Sequence, residues 1–108
     1  MVGKLAVLAN LQVIAERLRQ GETVSFRPTG FSMTPYIRSG DLVTVRPVDP
    51  EEELQVSMVV LAKVHGKIYL HYIRGINKKR VLIGSSAALN GWTTRDKIYG
   101  ILQKVEAV

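Results

Sequence analysis

Met58-Val59-Val60-Leu61-Ala62-Lys63-Val64-His65-Gly66-Lys67-Ile68-Tyr69-Leu70-His71-Tyr72-Ile73-Arg74 reads as two strands joined by a two-residue turn at His65-Gly66. Both runs are rich in Val, Ile, Leu and Tyr, which suit a half-buried pleated surface. A two-residue connection joins antiparallel neighbours, so the hairpin sets the character of the fold. On its N-terminal side, Leu42 to Val48 reads as a strand introduced by the Gly40-Asp41 turn. Pro47 and Pro50 confine the end of that strand to an edge or a loop. Earlier still, Thr23 to Arg27 alternates, with Val24 and Phe26 on one face, and Pro28 ends it because proline cannot donate to a ladder. Beyond the hairpin, Asn77 to Lys79 turns the chain into a strand at Arg80 to Ile83. Asn90-Gly91 reads as a further turn, and Ile98 to Val105 as the last strand.

Residues 4 to 20 have a different period. Leu8, Leu11, Ile14, Ala15 and Leu18 fall on one helical stripe, and Gly21 follows as a left-handed cap. One N-terminal helix and about six mostly hairpin-linked strands predict a mainly β fold. It should be a compact antiparallel β domain in which the helix covers one end. The chain has no repeats or linker-like stretches, so a single domain is expected over residues 1–108, with the helix at 4–20 and the β core at 22–105.

Composition narrows the function. There is no cysteine, which excludes disulfides and thiolate metal sites; with only His65 and His71 besides, neither a metal nor another cofactor is expected. Zero cysteines fit a reducing, cytoplasmic setting. The apolar stretch from Leu5 to Ala15 is interrupted by Asn10 and Gln12 and is too short to span a bilayer. Glu16, Arg17 and Arg19 follow it where a leader peptide would carry small residues, so it is expected to belong to the fold. The net charge of +6 permits contact with nucleic acid, but the only dense basic run is Lys78-Lys79-Arg80 in a turn. A run that short is ordinarily a solvated turn, and nucleic acid is not the favoured partner. Glu51-Glu52-Glu53 is expected to be exposed acidic surface.

The chemistry-bearing segment is Pro28-Thr29-Gly30-Phe31-Ser32-Met33-Thr34-Pro35. A serine hydroxyl attacks a carbonyl only when a base removes its proton and when backbone N–H groups face the developing oxyanion. Here Gly30 gives backbone freedom, Pro28 and Pro35 stiffen the segment, and Phe31 and Met33 can flank a pocket. Gly-x-Ser alone also suits an ordinary turn, and Thr34 stands where the α/β-hydrolase elbow has glycine. His71, alone on its strand, has two readings, a packed residue or a base. His65, in the hairpin turn, is expected to be solvated. Trp92 reads as an aromatic lid on the small core, or as part of a binding surface.

Ser32-Met33-Thr34-Pro35, then Gly40-Asp41-Leu42-Val43, then Tyr69-Leu70-His71-Tyr72-Ile73-Arg74-Gly75, and finally Asp96-Lys97-Ile98-Tyr99-Gly100-Ile101-Leu102, together resemble one clan of serine peptidases. It includes type I signal peptidases and the LexA-type self-cleaving repressors. The similarity covers roughly residues 22 to 105, and it extends to small bacterial and phage-associated proteins that keep this core alone. The resemblance implies Ser32 as nucleophile and His71 as its base, with Gly30, Phe31, Met33 and Pro35 around the substrate cleft. It implies a peptide or protein substrate and, by analogy with LexA-type domains, a homodimer. Two departures stand out. Ser57-Met58 replaces a second Gly-Asp, and Gly84-Ser85-Ser86 lacks the aspartate that histidine-type members use as a third residue. Asp96, Asp41, Ser85 and Ser86 are the candidates to orient His71. The Ala-Gly and Cys-Gly bonds cut in self-cleaving relatives are absent from residues 1–31, so the implied reaction is endopeptidase cleavage in trans. The alternative is a catalytically silent peptide-binding module that adds a peptide strand in the old cleft.

Overall fold

The computed structural model describes residues 10–30 and 32–107. Helix α1 (Leu11–Arg19) is followed by β1 (Val24–Phe26), β2 (Leu42–Pro47), β3 (Val59–Val64), β4 (Lys67–Asn77), β5 (Arg80–Gly84), β6 (Leu89–Thr94) and β7 (Ile98–Glu106). The seven strands form one sheet in the order β1-β2-β7-β3-β4-β5-β6, and every adjacent pair is antiparallel. The expected mainly β architecture with one N-terminal helix is the one found.

Asn10 starts the helix. It is extended, at φ −81° and ψ 98°, and its Oδ1 accepts the backbone N–H groups of Gln12 and Val13 at 3.1 and 3.2 Å. That is an N-cap, which satisfies two donors with no intrahelical partner. Within the described residues the helix therefore begins one residue after Asn10, whereas the periodicity ran through it; residues 4–9 of the expected helix lie outside the described residues. At the other end Glu22 N–H donates to Arg17 O and Gly21 N–H to Leu18 O, with Gly21 at φ +93°. This is the expected left-handed glycine cap, closed as a Schellman motif.

The sheet buries both faces at its centre. From β3, Val59 and Leu61 join α1 residues Ile14, Ala15 and Leu18 and the strand residues Phe26, Val43 and Val45 in one apolar cluster. Val60, Ala62 and Val64 point the other way, into a second cluster with Ile73, Val81, Ile83, Ile98 and Ile101. A strand covered on both faces needs a continuous apolar run, which accounts for Val59-Val60-Leu61-Ala62. The sheet also curls. Thr93 Oγ1 on β6 donates to the Lys63 carbonyl on β3 at 2.7 Å, although two strands separate them in the sheet order.

One strand differs from expectation. Asn90-Gly91 lies inside β6 and is not a turn. Ile83 pairs with Gly91 and Gly84 with Leu89, so Asn90 is an extra residue that no residue of β5 faces. It is a β-bulge, and Gly91 at φ +137° supplies the backbone conformation beside it. The Trp92-Thr93-Thr94 run that follows has the composition of a strand, and this is why the sheet has seven strands and not six.

Candidate active site

Residues 27–41 connect β1 to β2 and carry Ser32. Hydrogen bonds close this loop at its base: Arg27 Nη1 donates to the Gly40 carbonyl at 2.7 Å, and Gly40 N–H donates to the Pro28 carbonyl at 3.2 Å. Asp41, buried at 6% exposure, accepts the Arg38 N–H on Oδ2 at 2.9 Å and returns its own N–H to the Arg38 carbonyl. Gly40-Asp41 thus holds the loop's exit. Met33 and Ile37 bury their side chains in the α1-side cluster, and a turn between them is closed by Ile37 N–H to Met33 O at 2.9 Å. With its neighbour Met33 anchored below, Ser32 stays exposed.

The hydroxyl meets an imidazole carried by a distant strand of the sheet. Ser32 Oγ lies 3.0 Å from His71 Nε2. His71 sits on β4 opposite Val60 of β3, is 8% exposed, and stacks on Tyr69 with ring centroids 5.2 Å apart. Its other nitrogen, Nδ1, lies 2.6 Å from Asn90 Oδ1. An amide oxygen only accepts, so this bond places the proton on Nδ1 and leaves Nε2 with a lone pair directed at the serine hydroxyl. Burial pushes the imidazole pKa below its ordinary value of 6.5, and the Asn90 bond opposes that shift in part. A neutral imidazole beside a hydroxyl is the protonation state in which proton abstraction is possible.

The residues expected to orient the ring are engaged elsewhere. Asp41 closes the serine loop as described. Ser85 Oγ accepts the N–H groups of Ala87 and Ala88 in the β5–β6 connection, and Ser86 in the same connection is exposed. Asp96 accepts from Thr94 Oγ1. The partner at Nδ1 is Asn90, a residue expected in a turn. The signal that pointed to it was an isolated glycine between strand-forming residues, a pattern that marks a bulge as readily as a turn.

A cleft of about 540 Å3 opens beside Ser32 and His71, lined by Leu11, Gly30, Met33, Ile37, Ile68 and Leu70 among others. Among the described residues that line it, the charged ones are Arg38 and Lys67, with no carboxylate. Gly30 at φ +95° adopts a backbone that favours glycine. Of the other expected cleft residues, Met33 lines it and Phe31 lies outside the described residues. Pro35 lines a neighbouring depression with Tyr36, Met58 and Tyr72. Trp92 is not a lid on the core. The residue is 37% exposed, and the Arg80 guanidinium lies over its ring, 5.6 Å from the centroid.

The antiparallel sheet thus presents a loop serine to a strand histidine that is itself held by a third side chain. The sequence matches the Peptidase S24-like family over residues 4–102, nearly its whole length, and the chain belongs to that family. No curated protein matches the sequence. Among the described residues, no helix is long and apolar enough to cross a membrane.

Proposed function

We propose that the chain is a serine-type endopeptidase that cleaves a peptide in trans through Ser32, His71 and Asn90. The observation that carries this reading is the continuous pair of hydrogen bonds from Ser32 Oγ to His71 Nε2 and from His71 Nδ1 to Asn90 Oδ1, at 3.0 and 2.6 Å. Ser32 Oγ attacks the scissile carbonyl carbon while Nε2 takes its proton. The carbonyl electrons move to oxygen, and the oxyanion is met by backbone N–H groups of the serine loop, with that of Ser32 as the first donor. The imidazolium returns its proton to the leaving amine as the C–N bond breaks. An acyl-enzyme remains, and water, deprotonated by His71, releases the acid. Asn90 holds the ring without adding a negative charge beside it. The imidazolium formed during the reaction is therefore stabilised less than by a carboxylate.

Because the substrate is not identified, the first test is a fluorophosphonate, which phosphonylates an activated serine. The expected result is one adduct on Ser32, lost in Ser32→Ala and slowed by about a hundredfold or more in His71→Ala. An intact, folded protein that takes up no reagent at pH 8 is the silent binding module.

A further inference from the structure

Arg19, Lys63, Arg80 and Lys97 come from α1, β3, β5 and the 3-10 turn at Arg95–Lys97, yet they line one cleft of about 610 Å3 together with Trp92 and Tyr99. Asp96 is the single carboxylate among the described lining residues, and it is engaged by Thr94 Oγ1. Four positive charges against one negative leave +3 in this cleft, half of the chain's +6. Among the described residues the ion pairs are Arg17–Glu22, Arg46–Glu52 and Lys104–Glu106, so none of the four cations is held in one, although the charge of Lys97 helps keep the Asp96 carboxyl below its usual range. Gathering unpaired like charges opposes folding, and a bound anion relieves that cost.

The aromatic rings give the charge a shape. The Arg19 guanidinium lies 6.0 Å from the Tyr99 ring centroid and that of Arg80 lies 5.6 Å from the Trp92 centroid. A guanidinium drawn to a ring face by cation–π attraction keeps N–H groups with which to meet phosphate oxygens. Trp92 remains 37% exposed. The exposed Lys78 and Lys79 stand in the turn next to Arg80 and extend the basic track beyond the cleft. This cleft shares no lining residue with the cleft at Ser32.

We propose that this second cleft binds single-stranded nucleic acid, its cations holding the phosphodiester backbone and Trp92 stacking on a base. Cationic grooves interleaved with aromatic rings bind single strands in this way. An acidic peptide would use the charge but not the indole face. A duplex keeps its bases stacked on one another, away from Trp92.

Trp92 is the only tryptophan, so its fluorescence reports on this cleft alone. Titration with an oligothymidylate of about twelve nucleotides should quench it to saturation. The logarithm of affinity should fall with the logarithm of salt at a slope of about −2 to −3, as three or four phosphate contacts give on a single strand. Arg80→Glu and Lys97→Glu, both at exposed positions, should each weaken binding at least tenfold with the circular dichroism spectrum unchanged and the melting temperature not lowered. Trp92→Phe should weaken it too, read by anisotropy of a labelled oligomer. Four results overturn the proposal: no quenching, equal binding of polyglutamate, equal or tighter binding of the matching duplex, or charge reversals that leave affinity unchanged.

Discussion

Asn90 Oδ1 accepts a hydrogen bond from His71 Nδ1 at 2.6 Å because Asn90 is the unpaired residue of a β-bulge. A regular strand would place residue 90 opposite Gly84 and point its side chain to the face opposite that of Leu89. The extra residue breaks that alternation and re-aims the amide toward β4. Asn90→Ala should therefore leave the ring free to rotate and to take the other tautomer. The expected outcome is a fall in the fluorophosphonate labelling rate smaller than that of His71→Ala, with the fold unchanged by circular dichroism. Asn90→Asp should retain labelling but move its acidic limb up by about one pH unit, since a carboxylate beside Nδ1 favours the imidazolium. A limb that stays in place in Asn90→Asp would show that residue 90 does not act on His71.

The pH dependence of wild-type labelling follows from burial. His71 is held below its ordinary 6.5, so neutral Nε2 persists into mildly acidic solution. The acidic limb of the labelling rate should fall below pH 6.5.

Stability carries the same linkage. The folded state resists protonation of His71 more than the unfolded chain does, so its contribution is complete above pH 6.5 and is lost as pH falls through the folded value. Thermal melts from pH 7.5 to 5 should show the wild type losing more melting temperature than His71→Gln, in which this group is absent. Equal losses would mean the imidazole is not desolvated.

Gly84 pairs with Tyr72 of β4 and with Leu89 of β6, beside the Asn90 bulge. A Cβ there would stand 2.7 Å from the Ala88 carbonyl oxygen and 3.1 Å from Leu89 Cα, both backbone atoms. Gly84→Ala must push β6 away from β5 just where Asn90 leaves the ladder. It should cost about 1–3 kcal/mol by denaturant titration, the range for overpacking, and lower Ser32 labelling as well. An unperturbed variant would mean the β5–β6 connection is loose.

Arg46 grips Glu52 with two nitrogens, at 2.9 and 2.7 Å, and fastens the segment between β2 and β3. That hydrogen bonding lowers the Glu52 pKa from 4.5 to about 2. Its stabilising contribution is present above 4.5 and is lost as pH falls toward 2. Glu52→Gln should therefore lower the melting temperature at neutral pH, and the difference from wild type should close near pH 2.

The local features were legible in the chain because they depend on near neighbours. Gly66 beside His65 makes a two-residue hairpin wherever it folds. Leu11, Ile14, Ala15 and Leu18 form a helical stripe, and Gly21 can only cap it. Ser32 between Gly30 and Pro35, with His71 on a later strand, carried the family pattern. Asn90 was not legible: Asn-Gly has the same local preferences in a turn and beside a bulge, and only pairing of β6 with β5 decides between them. The charges at Arg19, Lys63, Arg80 and Lys97 are scattered along the sequence, and the curl of the sheet brings them together. Contacts between residues distant in sequence are set by strand order and register, and these settle only when the whole sheet has closed over its two cores.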